Sequence, residues 1–152
     1  MEYLYALVFG LVGTGVMTLV LYLISQIGAQ SVAQVKGIGS AIPTPSGGSL
    51  VPGTAVHIAV GLIFGLVYLA LGRQFAYLVP GALLGLGAGV GFVRGIVVSI
   101  VLGLIAFDRE PLNRMNEAGP AVGIVHVIGN VIYGLCVSVL FGLSAIDYAV
   151  AF

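Results

Sequence analysis

Charge is what this sequence has least of. Five Lys and Arg balance five Asp and Glu over 152 residues, leaving a net charge of zero, whereas an ordinary soluble domain is about a quarter charged. There is no basic face for nucleic acid and no acidic tail for a basic partner. A single cysteine, Cys136, lies inside an apolar run, so a disulfide framework and a thiolate metal cluster are both excluded; the residue reads as a small apolar filler. The amino-terminal run lacks Lys and Arg, and its second residue is Glu2. A secretory signal opens on basic residues, so Met1 to Ile24 reads as a permanent span.

What is present is apolar surface: 60% of the residues are hydrophobic and the mean hydropathy is +1.21. A membrane-spanning helix needs about 20 mostly apolar residues. Four runs meet that length: residues 3–24, 51–71, 78–106 and 120–143, none containing Asp or Glu. The expected fold is all-α, a single membrane domain over residues 1–152 in which four transmembrane helices form an up-down-up-down bundle. Ser25 to Leu50 is polar and passes through Pro43-Thr44-Pro45-Ser46-Gly47-Gly48, which is loop chemistry; its first part, Ala29 to Ile42, is a candidate short surface helix. The second connection centres on Gly72-Arg73-Gln74. The third, Phe107 to Gly119, gathers Asp108, Arg109, Glu110, Arg114 and Glu117.

Lys36, Arg109 and Arg114 then share one face and Arg73 the other. The positive-inside tendency places loops one and three in the cytoplasm and both termini outside. Tyr3, Tyr5, Tyr68, Tyr77 and Tyr148 fall on the terminus side, where tyrosine rings anchor at headgroups.

The chain reads as two tandem helical hairpins. His57 precedes Phe64-Gly65-Leu66 by the same interval that separates His126 from Tyr133-Gly134-Leu135, and Gly10 to Val16 echoes Gly85 to Val90 if one gap is allowed. Twenty-four glycines are costly in helices, at about 1 kcal/mol each against alanine. Span three concentrates them: Gly81, Gly85 and Gly89 form one ladder, and Gly87, Gly91, Gly95, Ser99 and Gly103 a second on nearly the opposite side. Small-residue stripes let backbones approach closely in lipid, so span three is expected to be a central helix packed on two sides. Room for a flat cofactor is the alternative use of the same glycines.

His57, Gly61 and Gly65 share one helix face, as do His126, Asn130 and Gly134. Spans two and four are diagonal in such a bundle, and the two histidines lie at about one depth. They are candidate axial ligands for a b-type haem, an arrangement that resembles in plan the bundle of b-type cytochromes. The competing reading places each histidine against headgroups or a backbone carbonyl. Two histidines without a carboxylate do not make a zinc site. Arg94, midway along span three, has no acid within the spans to pair with, and an intramembrane charge costs at least about 2.5 kcal/mol. Asn130 lies near its level, so an Arg94–Asn130 hydrogen bond is expected. The missing anion is then a lipid headgroup, a substrate or an acid from another subunit; alternatively the arginine uses carbonyls and water in a glycine-opened groove. No nucleophile has an activating base and orienting group nearby, so no catalytic residue is assigned and the chain is expected not to be an enzyme.

Four segments carry a family likeness: Gly13-Thr14-Gly15-Val16-Met17-Thr18, Val56-His57 through Gly65-Leu66-Val67-Tyr68, Pro80-Gly81-Ala82-Leu83-Leu84-Gly85, and His126 with Tyr133-Gly134-Leu135. On these residues the chain resembles a family of small prokaryotic four-helix membrane proteins classed as a domain of unknown function. The likeness covers most of the chain but neither Ser31 to Ser49 nor Asp108 to Glu117. It implies four helices in a prokaryotic cell membrane and no activity. The expected role is an accessory or scaffold subunit of a larger membrane complex, in contact with the lipid bilayer and with other membrane subunits or a second copy of itself. The alternatives are a haem-binding electron-transfer module and a small anion carrier or channel lined by Arg94 and Asn130.

Overall fold

The computed structural model describes residues 1–26, 39, 50–75, 80–107 and 120–144 of the chain. They form four helices and, among the described residues, no strand: α1 (Glu2–Gln26), α2 (Leu50–Phe75), α3 (Pro80–Phe107) and α4 (Pro120–Leu143). At about 1.5 Å rise per residue each exceeds the roughly 30 Å of a bilayer's hydrocarbon core. Lipid offers no partner for a free N–H or C=O, and a helix satisfies both within its own segment. Proline enters only where that rule is relaxed. Pro80 and Pro120 are the first residues of α3 and α4, and Pro52 sits in the first turn of α2, positions whose amides have no helical acceptor in any case.

The apolar runs and the helices coincide apart from their ends. α2 continues through Gly72-Arg73-Gln74, which the sequence reading assigned to a turn, and ends at Phe75. The extension brings Arg73 into an ion pair with Glu2 and over the Tyr3 ring, 5.4 Å from its centroid, and a cation in the last turn also suits the helix dipole. Ala29 to Ile42 (Gly39 apart) and the Asp108 to Glu117 cluster lie outside the described residues.

Glycine sets the packing. Along the α1/α2 seam, a Cβ on Gly10 would lie 3.1 Å from the Gly65 Cα, and one on Gly65 would lie 3.1 Å from the Gly10 Cα. Along α3/α4, a Cβ on Gly91 would sit 2.8 Å from the Val131 Cα, and one on Gly95 2.6 Å from the Val127 Cα. The Ser99 hydroxyl closes the end of this seam by donating to the carbonyls of Gly95 (2.7 Å) and Gly123 (3.1 Å). The α1/α4 seam is closed by Gly13 against the Tyr133 ring and Val137, by Leu21 against Gly129, and by Phe9 edge-on to Phe141 at 5.0 Å. These pairings make each consecutive helix antiparallel to the last, the up-down-up-down bundle, with α2 and α4 on a diagonal.

The fourth edge of the bundle is different, because α2 and α3 barely meet. Span three is therefore not a central helix packed on two sides. Its Gly87, Gly91 and Gly95 ladder is buried against α4, whereas a Cβ on Gly85 or Gly89 would meet nothing within 4 Å. The side chain of Gly81 is among those not described.

The bundle is apolar outside, and its few polar side chains within the spans are gathered inside, among an apolar core of residues such as Met17, Leu69, Val137 and Phe141. Thr14, His57, Arg94, His126, Asn130 and Ser138 are buried, while Leu, Ile, Val and Phe crowd the exterior. Tyr3 and Tyr5 are exposed as expected of headgroup anchors. Tyr68 is not an anchor: it is 2% exposed, because it continues the inward stripe of Gly61 and Gly65, and its hydroxyl donates to the Gly87 carbonyl at 3.1 Å.

Candidate functional site

A groove runs along the open edge between α2 and α3. It holds about 560 Å³ and is walled by Phe64 from α2 and by residues of α3 from Gly85 to Val98, roughly 20 Å of helix. Its walls are apolar except at Arg94. The groove exists because Gly85 and Gly89 put no side chain into it, and because nothing on α2 fills the space they leave.

Arg94 is 6% exposed and lies about halfway along α3, roughly 20 Å of helical rise from either end. Its guanidinium is sandwiched between two rings. The guanidinium carbon is 4.2 Å from the centroid of Phe64 and 4.3 Å from that of Tyr133, so each π-face is turned to the cation. Tyr133 is fully buried and held by its hydroxyl, which donates to the Gly61 carbonyl at 2.6 Å. Tyr68 packs beside it with the ring centroids 5.9 Å apart. Two aromatic faces replace part of the lost hydration, at about 0.5–2 kcal/mol each, and the Tyr133 hydroxyl oxygen offers the guanidinium an acceptor, but neither ring carries a counter-charge. Nε and Nη1 of Arg94 have no hydrogen-bond partner among the described residues.

Asn130 does not provide one. It is fully buried, and its Nδ2 donates to the His126 carbonyl one turn back at 2.8 Å, leaving Oδ1 without a partner. The expected Arg94–Asn130 hydrogen bond is absent, because the side-chain amide is captured by its own helix. Nor is Asn130 part of the groove wall.

The histidines are buried as well. His57 and His126 are 6% and 0% exposed, and Arg94 and His126 are both within electrostatic range of His57. His57 Nε2 is 3.1 Å from the Thr18 hydroxyl, whose own proton goes to the Thr14 carbonyl at 2.8 Å. Thr18 can then only accept, so the His57 ring donates from Nε2. Cys136 is half-buried on α4.

The sequence reading found Arg94 and the Gly85/Gly89 stripe but not the aromatic clamp. Its signal was there: Phe64 and Tyr133 each follow a histidine by seven residues, on the inward face two turns along.

Four helices, each long and apolar enough to cross a bilayer, with an apolar exterior, fit an integral membrane protein. Comparison with known proteins finds no family model, no curated protein and no solved structure that matches the chain.

Proposed function

We propose that this protein is a non-enzymatic accessory subunit of a larger membrane complex, and that the α2/α3 groove is where a partner's transmembrane segment seats. One observation carries the reading: a buried cation with no counter-charge among the described residues forms the floor of a groove that the described helices leave open. A stable four-helix protein has no structural need of an intramembrane arginine, and removing it would cost two ring contacts and its interaction with the Tyr133 hydroxyl. The three tight glycine seams show how this chain packs helix on helix, and Gly85 and Gly89 offer the same kind of surface with nothing on it.

The test is site-specific photocrosslinking in native membranes. A crosslinker at Val93, on the groove wall, should capture one other membrane chain, whereas one at Leu11, on the outer face of α1, should capture lipid. Lipid adducts alone from both positions, with the protein extracting as a lone monomer in mild detergent, would discard the subunit reading.

The two alternatives have less support. An anion path needs Arg94 and Asn130 on a common polar lining, and the groove wall is apolar around Arg94 alone; undiminished anion flux through liposomes carrying Arg94→Leu would dispose of it. Haem ligation by His57 and His126 asks His57 Nε2 to give up Thr18.

A further inference from the structure

We infer that the occupant of the groove is a transmembrane helix of a different polypeptide, carrying one Asp or Glu at mid-span whose carboxylate meets Arg94 while small residues of the same helix meet Gly85 and Gly89. The inference rests on the docking reading above and names the chemistry of the partner.

Charge decides the sign of the occupant. Arg94 stays protonated at any accessible pH, and its Nε and Nη1 find no partner among the described residues in an apolar wall. A neutral acceptor would satisfy a donor but leave the cation uncompensated, whereas a carboxylate does both.

Depth decides what bears the carboxylate. Arg94 is roughly 20 Å of helix from either end of α3, and its side chain is clamped between Phe64 and Tyr133 rather than extended toward an interface. The phosphate of a bilayer lipid stays at the headgroup level and does not reach it. A helix holds an acidic side chain at whatever depth its sequence dictates. The open stripe matches that occupant, because Gly85 and Gly89 are one turn apart and let another backbone come close.

Composition then excludes a second copy. The five acids are Glu2, Asp108, Glu110, Glu117 and Asp147. Four lie outside the spans, and Glu2, at the very start of α1, is paired with Arg73. This chain has no acid to offer its own groove at mid-membrane depth, so the partner is another polypeptide.

The experiment uses the full chain in phosphatidylcholine vesicles, with an acceptor dye at its amino terminus. The probe is a donor-labelled synthetic helix of about 20 Leu and Ala residues, with two glycines four apart and one central Asp. Energy transfer should show the Asp peptide binding at least about tenfold more tightly than its Asn counterpart, and Arg94→Gln should erase the difference. Gly85→Leu, which fills open space and leaves the fold standing, should block both peptides. Equal binding of the two peptides, still blocked by Gly85→Leu, overturns the carboxylate and leaves the docking reading intact. Binding of neither peptide overturns both. Displacement of the Asp peptide by oleate that itself depends on Arg94 assigns the site to a free lipid-soluble carboxylate and overturns the helix as occupant.

Discussion

Arg94 and Phe64 face each other across the open edge of the bundle, cation to ring at 4.2 Å, a contact that joins α2 to α3 alongside the Tyr68–Gly87 hydrogen bond. The geometry depends on a flat guanidinium, which can lie between Phe64 and Tyr133 and touch both. Lysine has the charge without the plane. Arg94→Lys should therefore lower thermal stability in detergent by more than Arg94→Leu does. The leucine variant loses the ring contacts but also loses a charge whose insertion costs at least about 2.5 kcal/mol. A leucine variant less stable than the lysine one would show that the charge itself holds the fold.

Glycine positions that look alike in sequence should separate sharply. Alanine at Gly95 would place a methyl 2.6 Å from the Val127 Cα, and at Gly91 2.8 Å from the Val131 Cα; overpacking of this kind costs about 1–3 kcal/mol. At Gly85 or Gly89 the methyl meets nothing within 4 Å, and the helix gains up to about 1 kcal/mol. Melting of the four alanine variants in one detergent should split them into a destabilised pair on the α4 side and a neutral or stabilised pair on the groove side.

That split marks the limit of what the residues alone reveal. The four helices were legible because bilayer thickness fixes the length of an apolar run, and the stripes of His57, Gly61, Gly65 and of His126, Asn130, Gly134 were legible because helical periodicity puts each on one face. Two ladders on α3 were equally plain. Only the path of α2 tells which one finds a neighbour, and nothing local to α3 encodes it. Tyr68 misled for a related reason: its level in the helix suits a headgroup anchor, but its direction is set by the inward stripe it continues. Asn130 misled because a bond to its own helix costs no tertiary arrangement and so outcompetes a bond across the bundle.

Tyr133 does two things, and substitution should separate them. Its hydroxyl ties α4 to α2 through the Gly61 carbonyl, while its ring covers Arg94. Tyr133→Phe keeps the ring and removes that extra hydrogen bond while the Gly61 carbonyl keeps its helical partner, a loss of about 0.5–1.5 kcal/mol. Tyr133→Leu removes the ring as well and should cost more. In an Arg94→Leu background the extra cost of Tyr133→Leu over Tyr133→Phe should shrink, a coupling that a double-mutant cycle reads directly. Additivity would mean that the ring contact contributes nothing.

His57 should carry a proton on Nε2, because Thr18 gives its proton to the Thr14 carbonyl and can only accept from the ring. Imidazole nitrogen shifts in the labelled protein report the tautomer, and Thr18→Val should move them and cost about 1–3 kcal/mol for the buried donor left without an acceptor. The same bond bears on haem. Axial ligation through Nε2 needs that nitrogen deprotonated, so a purified protein with a reducible absorption near about 410 nm would show that Thr18 had been displaced.

The α1/α4 and α2/α3 edges of the bundle end in opposite states, and Arg94 stands at the one left open. At α1/α4 the closing position is Gly13, and the Tyr133 ring lies against it, 3.0 Å from where a Cβ would be. At α2/α3 the Phe64 ring meets a guanidinium instead, and its bulk is expected to keep the helices from the close approach that Gly85 and Gly89 permit. Arg94→Gly should therefore let α2 and α3 come together at the spacing of a packed pair, about 8–10 Å between axes. Spin labels at Ile63 and Val93, both exposed on the two sides of the groove, should report a shorter and narrower distance distribution in the glycine variant than in the native protein. An unchanged distribution would mean that the groove is held open by the seams behind it, and that Arg94 occupies the space without creating it.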